Sequence, residues 1–391
     1  MASAEISRLY LDYNATAPLR PEARAATLEA LDVLGNPSSI HAEGRRARAT
    51  VEEARRAVAA LAGVEPRGVV FVSGGTEAAN LALTPAIQAP ERQGPLTRLI
   101  VSAGEHPCVL RGHRFAPEAT AIAPLTPDGR LDLDALAELL TRGEGAPMLA
   151  LQGANNETGV LQPVAEAAGL VHAAGGIVVC DGVQLPGRID LAAAASSADF
   201  LLLSAHKLGG PKGAGALIAT RRDLSIESPL LRGGGQERGG RAGTENVAAI
   251  AGFGAAARLA AGEVEREAPR LAALRDRLQA RVLESAPETV VFGAAAPRLP
   301  NTLAFAAPGA AAATLLIALD LVGVAVSSGS ACSSGKVTPS HVLAAMGVEL
   351  GLAAGAIRVS FGWASRDEDV DRFAAAFGEA LAGLRQRRGA A

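Results

Sequence analysis

Aromatic side chains and lysines are scarce in this 391-residue sequence, and the first of these absences restricts what the protein can bind. Aromatic residues make up only 3%, and the formal net charge is −3 without a basic tract. Stacking platforms for single-stranded nucleic acid need aromatic rings, and binding to a duplex needs a positively charged surface. The composition therefore argues against nucleic acid as a partner.

Cysteine is also rare, and its three positions are Cys108, Cys180 and Cys332. They are too few for a disulfide framework, and their spacing is not that of a zinc site, so we predict no metal. The first residues lack the apolar core of a secretory signal, and we find no uninterrupted apolar run of membrane-spanning length. We therefore expect a cytoplasmic protein with no membrane partner.

Apolar residues make up 49% of the chain, which is enough for a large core. Predicted strands alternate with helices, so we predict the α/β fold class with a mostly parallel wound sheet. A chain this long is expected to form two domains. We place a large α/β domain at 15–262 and a smaller α+β domain at 1–14 and 263–391. Apolar runs predict strands at 69–72, 98–102, 147–152, 176–180 and 201–203.

Lysine occurs only at positions 207, 212 and 336, whereas arginine is abundant. Lys207 follows the predicted strand at 201–203 and precedes a turn rich in glycine. Open α/β sheets bind ligands beyond the carboxyl ends of their strands, so Lys207 lies where a ligand is expected. A buried lysine can form a Schiff base and arginine cannot, but a solvated turn lysine is the simple alternative.

Polar side chains follow several predicted strands at their carboxyl ends. Thr76, after Ser73-Gly-Gly, is expected to cap a helix whose N-terminus is a candidate phosphate site or an ordinary turn. His106 could cap a helix, and Asp181 could pair with an arginine. We nevertheless predict one common site, because these strand ends meet at one edge of the sheet. The polar residues are Thr76, His106, Asn156, Asp181, Gln184, Ser204, His206 and Lys207.

The glycine-rich segment 231–246 reads either as a flexible linker or as an ordered loop. We favour the ordered loop, because Thr244 and Asn246 can cap the following helix. Separate helices are predicted at 247–261 and 263–284.

Small residues surround Cys332 in the segment 327–336. A thiol in such a segment is either a candidate nucleophile or a free surface cysteine. Cys180, inside a predicted strand, is expected to be inert, and Cys108 stays an alternative reactive thiol.

These motifs resemble those of the cysteine desulfurase family, within the class-V aminotransferase-like enzymes of fold type I. The resemblance extends over nearly the whole chain. It implies pyridoxal 5′-phosphate (PLP) as the cofactor, L-cysteine as the substrate and a homodimer with shared sites. The blocks that carry it are 73–80 (SGGTEAAN), 104–106 (GEH), 155–159 (NNETG), 181–184 (DGVQ), 204–215 (SAHKLGGPKGAG), 233–246 (GGGQERGGRAGTEN) and 327–332 (SSGSAC).

The resemblance also implies which residues contact the ring of PLP. Lys207 would hold PLP as a Schiff base and move the α-proton of the substrate. Asp181 would pair with the pyridinium nitrogen, and His106 would be a catalytic residue that stacks on the ring and moves protons. Asn156 and Gln184 would bond the phenolic oxygen.

Other residues would hold the phosphate group of PLP. The resemblance implies Gly75, Thr76, Ser204 and His206 in one subunit, and Thr244 reaching the site of the partner subunit.

Arg358 would bind the substrate carboxylate, with Asn14 nearby. The Cys332 thiolate would attack the substrate sulfur, leaving a persulfide on Cys332 and releasing L-alanine. The long segment after Cys332 resembles the subgroup that hands sulfur to scaffold proteins of iron–sulfur cluster assembly.

The sequence departs from many relatives in two places, namely at Gly182-Val183 under the ring and at Gln236 in the glycine-rich loop. The alternatives on the same fold are a selenocysteine lyase and a class-V aminotransferase. A relay or scaffold subunit without chemistry is disfavoured, because Lys207, Asp181, His106 and Cys332 are all present.

Overall fold

The structure is a computed structural model that describes residues 8–89, 95–329 and 340–389. Cys332 lies outside the described residues. The strands are β1 (Leu9–Tyr10), β2 (Val69–Val72), β3 (Ile87–Gln88), β4 (Arg98–Ser102), β5 (Thr120–Ala123), β6 (Pro147–Gln152), β7 (Ile177–Asp181), β8 (Phe200–Ser204), β9 (Gly215–Ala219), β10 (Ser225–Ile226), β11 (Val290–Val291), β12 (Thr302–Ala306), β13 (Val324–Ala325), β14 (Ser327–Ser328) and β15 (Ile357–Ser360). The helices are α1 (Pro21–Leu31), α2 (Ala42–Leu61), α3 (Gly75–Ala82), α4 (Pro107–Leu110), α5 (Leu133–Thr141), α6 (Val164–Ala173), α7 (Leu191–Ser197), α8 (Val247–Ser285), α9 (Ala312–Leu321), α10 (His341–Ala345), α11 (Leu350–Ala353) and α12 (Asp367–Gly389).

A seven-stranded sheet forms the centre of the molecule, in the order β2-β9-β8-β7-β6-β4-β5. The five strands from β8 to β5 are parallel, and β9 runs antiparallel to both β8 and β2. The predicted mostly parallel wound sheet is thus confirmed. Strand β9 was not predicted, because its run of small apolar residues follows a glycine-rich turn.

Both faces of the large sheet are covered, which explains its continuous apolar strands. Along β6, Leu149 and Leu151 join the core shared with α2 and the first part of α8. Met148 and Ala150 point to the opposite core, which includes α3. The strand therefore cannot show the alternation of apolar and polar residues that a half-exposed strand has.

A second sheet, with the antiparallel order β11-β12-β15-β14, is formed by the C-terminal part of the chain. Its core contains Phe305, Phe373 and Phe377, and the Phe305 ring meets the other two edge-on. Strand β1 pairs with β13, which brings the N-terminal residues to this region. The domain boundaries at 14 and 263 stay a prediction.

Helix α8 is one continuous helix of 39 residues, so the prediction of two helices was wrong. The expected break, Gly262, lies inside it, where a Cβ atom would meet no other atom within 4 Å. Contrary to our expectation, α8 has the length and composition of a membrane span. That is weak evidence, because half of its most apolar window is buried, as in a core helix.

Candidate active site

A cavity of about 330 Å³ opens at the carboxyl ends of the parallel strands. Every predicted site residue that the structure describes lines this cavity, with the exception of Thr244. The lining residues are Asn14, Ala15, Gly75, Thr76, His106, Cys108, Gln152, Ala154, Asn156, Asp181, Val183, Gln184, Ser204, His206, Lys207 and Arg358. The sheet topology thus collects residues from all along the sequence into one site.

Lys207 follows β8 in a short 3₁₀ turn and reaches back to the N-terminal segment. Its Nζ donates to the backbone oxygens of Asn14 at 2.6 Å and Ala15 at 3.0 Å. The side chain is half-buried, so the solvated turn lysine of the simple alternative is not what the structure shows. These two carbonyls orient the amine toward the cavity.

Asp181 is the last residue of β7, and its Oδ1 accepts from the backbone N–H of Val183 at 2.9 Å. In the described part of the chain, Asp181 forms no ion pair with an arginine, which was the structural alternative. Burial raises the pKa of Asp181, while the Val183 N–H and the positive charge of Lys207 act in the opposite direction. The carboxylate is thus placed for a cationic ligand in the cavity.

His106 caps α4 and lines the cavity at the same time. Its Nδ1 lies 3.2 Å from the Cys108 backbone N–H, which donates to it. Burial, together with the charges of Lys207 and His341, lowers the pKa of His106 to about 4. The ring is therefore neutral at pH 7, and because Nδ1 accepts, the proton resides on Nε2.

The first turn of α3 and the end of β8 form one end of the cavity. Gly74 is the N-cap of α3 and Thr76 is its second residue, so the prediction of Thr76 as N-cap was wrong. First-turn N–H groups lack intrahelical partners and favour an anion. Gly215 of β9 brings this turn close to Ser204, since a Cβ there would lie 2.6 Å from Gly74 Cα.

His206 also lines the cavity. Its Nδ1 is 3.1 Å from the hydroxyl of Thr16. Burial and the charges of Lys207 and Lys212 lower the pKa of His206 to about 4, so this ring is also neutral at pH 7.

Arg358 of β15 is only 2% exposed and forms the wall near Asn156. Its Nη2 donates to Asp12 Oδ1 at 2.7 Å, and its Nη1 donates to the Asn156 backbone oxygen at 2.9 Å. Its Nε is buried and has no hydrogen-bond partner among the described residues. Asp12 was missed in the sequence, although it lies two residues before Asn14.

Asn14 connects this wall to Gln184. The Asn14 Nδ2 donates to the Thr302 hydroxyl at 2.9 Å. Its backbone oxygen accepts from Gln184 Nε2 at 3.1 Å as well as from Lys207. Gln184 also accepts from Arg188, a second residue that sequence reasoning missed.

Glu105 is a buried carboxyl group next to the cavity that was also missed. Its Oε1 accepts from the Gln152 backbone N–H, and its Oε2 has no hydrogen-bond partner among the described residues. Burial, together with the charge of Asp181, raises the pKa of Glu105 well above its usual range. Glu105 therefore keeps its proton to a higher pH than Asp181 does.

We expect Glu105→Gln to stabilise the protein at alkaline pH. The unfolded chain releases the Glu105 proton above about pH 4.3 and the folded protein keeps it, so this group destabilises the fold increasingly as pH rises toward its folded-state pKa. Glutamine keeps the acceptor and does not titrate. Urea unfolding between pH 5 and pH 8.5 measures the effect. The free energy of unfolding of Glu105→Gln should exceed that of the wild type by an amount that grows by up to about 1.4 kcal/mol per pH unit.

Glu157 provides the matched control for this experiment. Its Oε2 accepts from the Ser340 hydroxyl at 2.5 Å, and burial raises the pKa of Glu157 to about 7. The stabilisation of Glu157→Gln relative to the wild type, measured as the free energy of unfolding, should therefore stop growing near pH 7. A Glu105→Gln effect that is the same at every pH would show that Glu105 is ionised in the folded protein.

The glycine-rich segment is an ordered loop, and Thr244 within it is exposed. Glu237 accepts from Arg55 Nη1 and Nη2 at 2.7 and 2.8 Å in a buried ion pair. Asn246, and not Thr244, caps α8 by accepting from the Ala249 N–H. Thr244 lines a second cleft beside Phe71 and lies outside the cavity of its own chain. Its contact with a partner subunit stays a prediction.

The two described cysteines differ in position. Cys180 is completely buried in β7, as expected of an inert thiol. Cys108 lines the cavity, and its Sγ lies 2.9 Å from His106 Nδ1. Burial raises the pKa of the Cys108 thiol above its usual range. Neither cysteine is thus a ready thiolate.

Comparisons of this chain with a family model, with other sequences and with solved structures all point to the same family. The family described as aminotransferase class-V matches residues 9–373. A cysteine desulfurase of Cereibacter sphaeroides is 42% identical over 374 residues, which cover 94% of each chain. The cysteine desulfurase NifS of Azotobacter vinelandii is 40% identical, over 93% of this chain and 90% of NifS. The solved NifS-like protein from Rickettsia africae superposes with a TM-score of 0.86 at 33% identity, over 96% of this chain and 99% of that structure.

Proposed function

Because the chain belongs to the cysteine desulfurase family of class-V aminotransferases, we propose that it removes sulfur from L-cysteine and releases L-alanine. The single observation that carries the proposal is the grouping of Lys207, Asp181 and His106 in one cavity. A simple phosphate-binding module would need neither the amine nor the buried carboxylate.

Enzymes of this family depend on PLP, and the groups that line the cavity fit that cofactor. The carboxylate of Asp181 suits a pyridinium nitrogen, and the neutral ring of His106 suits stacking. The first turn of α3, with Gly75 and Thr76, suits a phosphate group. When bound, PLP supplies an electron sink for the carbanion at the substrate Cα.

Ser204 and His206 would complete the phosphate site, and Gln184 and Asn156 would face the phenolic oxygen. Ser204 is buried at the end of β8, beside the first turn of α3. These assignments are our proposal for the described part of the site.

The residues of this chain would then perform two steps. Lys207 Nζ takes the α-proton of the substrate, for which its position on the Asn14 and Ala15 carbonyls prepares it. The Cys332 thiolate attacks the substrate sulfur, so that an S–S bond forms and the Cβ–S bond breaks. The electron pair of that bond stays on Cβ, which is protonated and becomes the methyl group of L-alanine.

Replacing Arg358 with alanine should mainly raise KM, by about 10- to 100-fold, because a charge-assisted bond to the substrate carboxylate is lost. Steady-state kinetics with L-cysteine measure this effect. The control is Asp12→Asn, which weakens the partner of Arg358 and leaves the guanidinium in place. An unchanged KM in Arg358→Ala would show that the carboxylate binds elsewhere.

We also propose a homodimer in which Thr244 reaches the partner's PLP site. The exposure of Thr244, outside the cavity of its own chain, supports this arrangement. The acceptor of the persulfide would be a scaffold protein of iron–sulfur cluster assembly in the cytoplasm. Relatives named NifS and IscS support that proposal.

The first test is a peptide mass map after incubation of the PLP-loaded protein with L-cysteine in the absence of reductant. We expect one additional sulfur on Cys332 and release of alanine. Alanine release without sulfur on Cys332 would favour a selenocysteine lyase or Cys108 as the carrier. Absence of both products, with transfer of an amino group to a keto acid, would instead identify an aminotransferase.

A further inference from the structure

Arg188 is a buried cation beside the candidate active site that pairs with no carboxylate in the described ranges. Arg188 is only 5% exposed to solvent. Its Nη1 donates to the backbone oxygen of Gln184 at 2.8 Å and also to the Gln184 side-chain oxygen. Its Nη2 lies 3.4 Å from the Tyr13 backbone oxygen. A buried guanidinium with only neutral partners is costly, so its position calls for an explanation.

The turn after β7 directs Arg188 back onto Gln184. Gly187 adopts a positive φ of 72°, a conformation that glycine reaches without strain. The Arg188 N–H then closes the turn on the Leu185 oxygen at 3.1 Å. The guanidinium thereby meets both oxygens of the residue four positions earlier.

These contacts determine which way the Gln184 amide faces. Its Oε1 must face the guanidinium, because Arg188 can only donate. Its Nε2 donates to the Asn14 backbone oxygen at 3.1 Å. A flipped amide would set NH₂ against the guanidinium and oxygen against the Asn14 carbonyl, so both contacts would become repulsive.

Gln184 therefore offers the cavity a hydrogen-bond donor. Its Nε2 carries two hydrogens, and within the described residues Asn14 takes one of them. Gln184 itself lines the cavity, so the second hydrogen is available to a ligand there. Burial, with the charge of Arg358, lowers the pKa of Arg188 to about 9, which leaves the guanidinium charged at neutral pH.

We propose that Arg188 is a positioning residue that fixes Gln184 as a donor, so that the site binds the phenolic oxygen of the cofactor in its ionised form. This inference rests on the proposed function, because it needs PLP in the cavity. The fixed N–H and the nearby positive charge both favour an oxyanion over a hydroxyl group. Arg188 acts through Gln184 and does not itself line the cavity.

The test is a pH titration of the visible absorbance of the PLP-loaded protein. In Arg188→Met, the midpoint should rise by about one pH unit, because the deprotonated form of the bound cofactor loses a donor and a positive charge. The dissociation constant for PLP, measured by ultrafiltration of the holoenzyme, should increase by about 10-fold, the factor that corresponds to one pH unit. Arg188→Lys keeps the positive charge, so the midpoint of its absorbance titration should return most of the way to the wild-type value.

A double-mutant cycle separates positioning from general structural support. In a Gln184→Ala background, Arg188→Met should lose most of its effect on PLP affinity. The same affinity loss in both backgrounds would overturn the proposal, as would an unchanged midpoint in Arg188→Met.

Arg98 offers a matched control far from the site. It lies at the amino end of β4, and its guanidinium donates to the Leu139 and Leu140 backbone oxygens at 2.7 Å. Arg98→Met should lower the thermal midpoint of unfolding and leave the absorbance titration unchanged. Failure of the wild-type protein to bind PLP or to convert L-cysteine would refute the proposed function instead, so the two failures are distinguishable.

Discussion

Lys207→Ala will abolish both the visible absorbance of bound PLP and the turnover of L-cysteine. Lys207 is the one amine that the described structure brings into the cavity, where two backbone carbonyls hold it. Arginine is abundant in the chain and cannot replace it, because a guanidinium forms no Schiff base. We expect kcat to fall by at least about 10³-fold, in the range for loss of a group that transfers a proton.

Lys212→Ala is the matched control for this variant. Lys212 lies in the same glycine-rich turn, is exposed and does not line the cavity. It should keep the absorbance and most of the activity. Retained turnover in Lys207→Ala, with an intact fold by circular dichroism, would refute the Schiff-base assignment.

Cys332→Ser will abolish transfer of sulfur to the protein, and with it the sulfide that a reductant releases. The structure supports this expectation through the other two thiols. Cys180 has no exposed surface, and burial raises the pKa of the Cys108 thiol above its usual range. A protonated thiol is a poor nucleophile, so neither residue should take over the attack on the substrate sulfur.

Mass spectrometry of the protein after incubation with L-cysteine measures this outcome directly. The expected mass gain of one sulfur in the wild type should be absent in Cys332→Ser, while the PLP absorbance is unchanged. Cys108→Ser is the control and should keep the mass gain. A gain on Cys332→Ser that disappears on further replacement of Cys108 would identify Cys108 as the carrier.

The strands that carry the site could be predicted because their signals are local. Strands β2, β4 and β6 begin and end at the predicted residues, since each apolar run is bounded by polar residues or glycine. Parallel connectivity then brings their carboxyl ends to one edge. The grouping of His106 with Lys207 in one cavity follows from that rule and needs no knowledge of side-chain contacts.

The contacts that tune the site could not be predicted, because they join distant parts of the chain. Asp12 and Arg358 are 346 residues apart, and an isolated parallel bridge between Asp12 and Ser360 brings the N-terminal segment alongside β15. The raised pKa of Glu105 depends on burial, which its polar neighbours in the sequence do not indicate. Arg188 is near Gln184 in sequence, but its role depends on the orientation of an amide.

The continuity of α8 has a mechanical consequence. A helix of 39 residues is about 58 Å long, and its first half packs in the core of the large sheet while its second half packs in the core of the small one. Pro269 lies inside α8 between these two halves, so one backbone hydrogen bond of the helix is missing there. Because α8 passes from one core into the other, it couples the large sheet, beside Lys207, to the small sheet, which carries Arg358.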